Sequence, residues 1–115
     1  MRSKKFLAKR NKYKNKKVIV DGIKFDSKKE ATVYQELKLL EKVGRIRNLR
    51  RQVRFELVPK TDKFRAVTYI ADFTYEDDSG LHVIDVKSYF TRKMPLYIVK
   101  KKLMYYRYGL LIEEW

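Results

Sequence analysis

Two aspartates stand where strand-forming sequence ordinarily excludes them. Asp72 lies inside Thr68-Tyr69-Ile70-Ala71-Asp72-Phe73, and Asp85 inside His82-Val83-Ile84-Asp85-Val86-Lys87. Aspartate is depleted in strands, and an unpartnered buried carboxylate is strongly unfavourable. Side chains alternate along a strand, so Asp85 and Lys87 project from one face. A hairpin turning at Asp77-Asp78-Ser79-Gly80 brings Asp72 within reach of Asp85. Two carboxylates about 4 Å apart repel by roughly 4 kcal/mol at an effective dielectric of 20. A divalent cation reverses the sign, and oxygen ligands suit Mg²⁺ or Mn²⁺. With a single histidine, His82, and no cysteine, a zinc centre is disfavoured. Lys87 would orient or deprotonate a water, or steady the charge of a phosphate under attack. The bland alternative is a salt bridge from Lys87 to one aspartate at a sheet edge.

Glu30 has two readings that do not exclude each other. Ser27-Lys28-Lys29-Glu30 is a Ser-x-x-Glu capping box, which alone accounts for the glutamate. Glu30, Tyr34, Leu37 and Glu41 also share one helical face, so a first-turn carboxylate can lean toward the sheet and the metal.

The elements that must position these groups follow from pattern. Val18 to Val20, the turn Asp21-Gly22, and Ile23 to Phe25 predict a short hairpin. Ser27 opens a helix to about Val43, with Tyr34, Leu37 and Leu40 inward and Gly44 as its stop. Ile46 to Val58, Ala66 to Tyr75 and Leu81 to Lys87 predict three strands. Pro95 begins a second helix to Tyr108, with Leu96, Val99, Leu103 and Tyr106 opposite Lys100, Lys101 and Lys102. Leu110 to Ile112 predicts a last strand. The order αβββαβ after a hairpin is a mixed α/β arrangement with a central sheet. At 115 residues the chain holds one domain, expected over 18–115 behind a basic tail at 1–17.

That tail carries nine basic residues and no acid, within a formal net charge of +15. Such an excess favours a polyanionic partner, with an acidic membrane surface as the lesser alternative. Lys9, Arg10, Lys12 and Lys14, the strand residues Arg50, Arg51 and Arg54, and the helix residues Lys100 and Lys101 are the candidate phosphate contacts. Tyr13 could stack on exposed bases, and Tyr89 and Phe90, just after Lys87, could border a cleft. The tail could equally serve solubility, and the helix lysines could form a solvated face. No secretory leader, membrane span, phosphate-binding glycine loop or Ser/His/Asp set is apparent, so a cytoplasmic chain without nucleotide cofactor is expected.

Asp72 followed thirteen residues later by Asp85-Val86-Lys87, with a glutamate on the preceding helix, resembles the PD-(D/E)XK nuclease signature. Ala71 stands where that motif's proline would fall. The spacing is similar to that of archaeal Holliday-junction resolvases. Gly22-Ile23-Lys24-Phe25-Asp26-Ser27-Lys28-Lys29-Glu30, Gln52-Val53-Arg54-Phe55 and Tyr69-Ile70-Ala71-Asp72-Phe73 resemble a bacteriophage family of that superfamily, over roughly residues 13 to 112. The resemblance implies a restriction-endonuclease-like core, Asp72 and Asp85 as metal ligands, Lys87 as catalytic lysine and Glu30 as helix-borne acid. It makes Gln52 a weaker site candidate. The expected function is Mg²⁺-dependent DNA cleavage, with branched DNA as substrate in a phage-infected bacterial cell. A homodimer is expected, because symmetric junction cutting needs two centres. The rivals are a nuclease for mismatches, flaps or duplex ends, and a non-catalytic nucleic-acid-binding module.

Overall fold

The computed structural model describes residues 17–115. Strands β1 (Val18–Val20) and β2 (Ile23–Phe25) form an antiparallel hairpin. Asp21 and Gly22 at its tip have φ of 53° and 75°, the pair of left-handed residues a two-residue turn needs. Helix α1 (Lys28–Lys42) starts where the Ser27 hydroxyl accepts from Glu30 N at 3.0 Å. It ends in a Schellman arrangement: Gly44 N donates to Glu41 O, and Arg45 N to Leu40 O.

The remaining strands form one mixed sheet in the order β3 (Arg47–Val58), β4 (Val67–Asp77), β5 (Gly80–Asp85), β6 (Ile112–Glu114). The first three pair antiparallel, and β6 joins β5 in parallel after helix α2 (Pro95–Tyr108) crosses over. Over the described residues the chain is therefore α/β, with a mixed four-stranded sheet and two α-helices. Among the described residues, no helix is long and apolar enough to cross a membrane.

Each helix seals its own core. Tyr34 and Leu37 of α1 pack with Phe25, Phe73, Tyr75 and Ile84. Tyr97 and Met104 of α2 pack with Leu57, Tyr69, Ala71, Val83 and Ile112. Neighbours Val83 and Ile84 belong to different cores, as strand alternation demands, which puts Asp85 on the α2 side with Val83. In β4, however, Tyr69 and Ala71 join the α2 core while Phe73 and Tyr75 join the α1 core. Residues spaced by two should share a face, so β4 changes face at Asp72. Opposite, the β3 ladder skips Gln52, whose φ is 51°.

Three expectations need correction. The last strand is Ile112–Glu114 rather than Leu110 to Ile112, because Ile112 is the residue seated beside Val83. The third strand ends at Asp85; Lys87 lies beyond it, its N–H donating to Trp115 O at 3.3 Å. The inward stripe of α2 is Tyr97 and Met104, whereas Leu96, Val99 and Tyr106 are exposed. Lys101 sits between them on that stripe, its ammonium held by Glu114 at 3.0 Å while its stem covers apolar surface.

Candidate active site

The β4–β5 ladder ends at the pair Phe73–Ile84, and beyond it the strands fork. Asp72 closes the fork with its side chain: Oδ2 accepts from Val86 N at 2.8 Å. Asp85, 3% exposed, accepts from the Tyr69 hydroxyl at 2.6 Å and meets Lys87 Nζ at 3.2 Å. Glu30 approaches from the first turn of α1 and is also buried. Its carboxylate turns to Gln52, whose Nε2 lies 3.5 Å from Glu30 Oε2 and 3.4 Å from Asp72 Oδ1. The left-handed backbone at Gln52 accompanies this bridging side chain.

The electrostatics show how crowded the acids are. Burial and the nearby Asp85 and Glu30 carboxylates push Asp72 up to about 7, against the opposing Val86 hydrogen bond. Burial, Asp26 and Asp85 raise Glu30, while Arg51 opposes them. Burial and Asp85 raise Tyr69, keeping its hydroxyl a donor. Lys87 is placed by more than its ion pair. Its ammonium lies 4.5 Å over the Tyr97 ring. The Tyr97 hydroxyl donates to Glu114 Oε2 at 2.6 Å, and burial with that bond keeps it protonated.

These groups line a cleft of about 570 Å³ between the N-terminus of α1 and the start of α2. Glu30, Asp72, Asp85 and Lys87 all border it, as does Lys100. Gln52, exposed on β3, is not among the lining residues but bridges two of the acids. Among the described residues, no three His, Cys, Asp or Glu side chains stand close enough to enclose an ion. The donor set nonetheless fits Mg²⁺, which takes one or two carboxylates and fills its other positions with water and phosphate oxygens. The fit rests on the donor set: Glu30, Asp72 and Asp85 border one cleft, and the Lys87 ammonium there contacts Asp85.

The expected phosphate contacts separate into groups. Arg50 and Arg54 are exposed on β3. Arg51 is half-buried with its guanidinium 4.8 Å over the Phe25 ring and its Nε without a hydrogen-bond partner, so it packs into the α1 core instead of facing solvent. Lys101 is tied to Glu114. Lys9, Arg10, Lys12, Tyr13 and Lys14 lie outside the described residues. Tyr69, Tyr97 and Glu114 complete the site without having been expected there. Only the spacing of Tyr69 ahead of Asp72 in one strand hints at a role, and it reads equally as core.

No curated protein and no solved structure matches the chain. A family model described as "Protein of unknown function (DUF1064)" matches residues 10–115, and the chain belongs to that family.

Proposed function

We propose that this protein is a Mg²⁺-dependent DNA endonuclease of the PD-(D/E)XK kind, built on a restriction-endonuclease-like core and acting on branched DNA. The observation that carries the reading is the meeting of Glu30, Asp72, Asp85 and Lys87, from different elements, in one cleft of a chain charged +15. Asp72 and Asp85 would hold the cation, with Glu30 reaching it through water or by displacing Gln52. Bound Mg²⁺ would supply a polarised water and neutralise the phosphate. Lys87, restrained by Asp85 and the Tyr97 ring, donates toward the water or a phosphate oxygen. Tyr69 fixes the orientation of Asp85. The exposed Arg50 and Arg54, Lys100 at the cleft and the basic residues of 1–17 would bind phosphates. A homodimer belongs to the same proposal, since paired incisions need two clefts.

One observation favours a binding module: Tyr69, Val86 and Lys87 already satisfy the two aspartates without an ion. Four-way junctions, flaps, mismatched duplexes and plain duplexes, incubated at one salt concentration with Mg²⁺, separate the readings. Paired nicks in junctions are expected, and Asp72→Ala should abolish them while leaving binding intact. Equal cutting of linear duplex would remove the branched substrate. Intact DNA throughout, in Mn²⁺ as well, would establish the binding module.

A further inference from the structure

Past Lys87 the chain makes a tight turn that displays two aromatic side chains to solvent. Ser88 N donates to Thr91 Oγ1 at 2.9 Å, and Thr91 N returns a bond to Ser88 Oγ at 3.1 Å. Arg92 N to Ser88 O and Lys93 N to Phe90 O tighten the turn further. Between the stapled ends stand Tyr89, 64% exposed, and Phe90, 79% exposed. Their rings meet edge to face, 5.6 Å apart at 81°. Lys93 Nζ lies 4.3 Å over the Tyr89 ring and 2.8 Å from its hydroxyl. Tyr89 is thus held by a cation on one side and by Phe90 at its edge, leaving the Phe90 ring as the free surface.

We infer that Phe90 is a stacking platform for an unpaired nucleobase, with Lys93 taking the adjoining phosphate. This deepens the proposed function and rests on it. Exposed apolar side chains are common on protein surfaces, but here two adjoining rings are held edge to face on a hydrogen-bonded turn beside basic residues, the combination a base-stacking surface uses. Thr91 of the same turn lines the cleft, which puts the platform at the cleft's rim, three residues from Lys87. The flanking Arg92 and Lys93, with no acid from Val86 to Lys102, match a phosphate-linked base better than an apolar protein surface. A base in a continuous duplex has both faces covered by its neighbours, whereas a base at a fork or branch offers one. The platform would therefore give preference for open or branched DNA through stacking, without reading sequence.

The test uses a forked DNA with 2-aminopurine at its first unpaired position, and a fully paired duplex of equal length. Binding and fluorescence are measured at one salt concentration, with the melting temperature of each variant recorded. Stacking should quench the probe in the native protein. Phe90→Ala should abolish that quenching and weaken fork binding about 5- to 150-fold, the range expected for one stacked base, with duplex affinity within twofold. Phe90→Trp should retain both properties, and Phe90→Leu, apolar but without a π face, should lose them. Equal loss on fork and duplex, or no loss on either, overturns the platform. So does a Phe90→Ala variant that changes only oligomeric state by light scattering, which would make the ring a protein contact. Quenching by a native protein that never cuts DNA would leave the platform standing and remove the nuclease reading. Failure to bind either DNA would remove both.

Discussion

Asp72 couples stability to the proposed chemistry. Its carboxyl is raised in the folded state, to about 7 from an ordinary 3.8, by burial and by its acidic neighbours. Between those values the native state binds a proton that the unfolded chain lacks, so this group's contribution falls as pH rises through about 7. The metal-free protein should therefore melt higher near pH 5 than near pH 8, as far as this group decides. Asp72→Asn, which keeps the acceptor for Val86 N, should raise stability at pH 8 by about 1–3 kcal/mol while abolishing cleavage. A lower melting temperature for Asp72→Asn at pH 8 would contradict the raised carboxyl. Tyr69→Phe should lower divalent-ion affinity or turnover about 10- to 100-fold, with the fold intact, because it removes a bond to Asp85. Asp72 and Asp85 were legible in the sequence because a charge inside an apolar strand needs a partner, Lys87 by its two-residue spacing from Asp85, and Glu30 by its place in the first turn of a helix. Tyr69 in its strand and Tyr97 on its helix were not, because a tyrosine among apolar residues satisfies the core with its ring. Only its hydroxyl reaches the site.

At the scale of elements, the site depends on a local departure from sheet regularity. Gln52 holds a left-handed backbone that costs a non-glycine residue about 1–2 kcal/mol, opposite the point where β4 changes face. Gln52→Gly should relieve that cost and raise the melting temperature, while activity falls because Glu30 and Asp72 lose their bridge. Loss of stability on this change would show the conformation to be unstrained. The far end of the sheet is pinned by His82, between Asp77 and Glu113 of β6. Burial opposes its protonation, but its ring N–H groups donate to the Glu113 and Asp77 carboxylates, and these bonds prevail and raise it above 6.5. That contribution is complete below pH 6.5 and is lost as pH rises through the raised value. Protection of the β6 amides, corrected for intrinsic exchange, should fall across that range, and His82→Gln should flatten the dependence. The hairpins, the first helix and the three long strands were legible because turn residues and alternation agree there. The inward stripe of α2 was not, because a long lysine and a tyrosine bury their stems while smaller apolar residues face out. The break at Gln52 has no pattern at all; nothing in Arg51-Gln52-Val53 marks a positive φ.

For the molecule as a whole, the proposed function assigns affinity to the charge and chemistry to the cleft. The net +15 predicts DNA binding whose logarithm falls steeply and linearly with that of salt. Removing residues 1–17, with nine of the basic residues, should reduce that slope while the cleft of the remaining chain still cuts at low salt. An unchanged slope would move the phosphate contacts onto the sheet and α2. DNA binding alone would not make a nuclease; for that, the acids of adjacent strands must share one cation beside an ammonium. Calorimetric titration with Mn²⁺ at pH 8, without DNA, tests it most directly. Saturable binding is expected in the native protein, lost in both Asp72→Asn and Asp85→Asn and retained in Arg54→Ala. Indistinguishable titrations for all four proteins, or none showing saturable uptake, would contradict it.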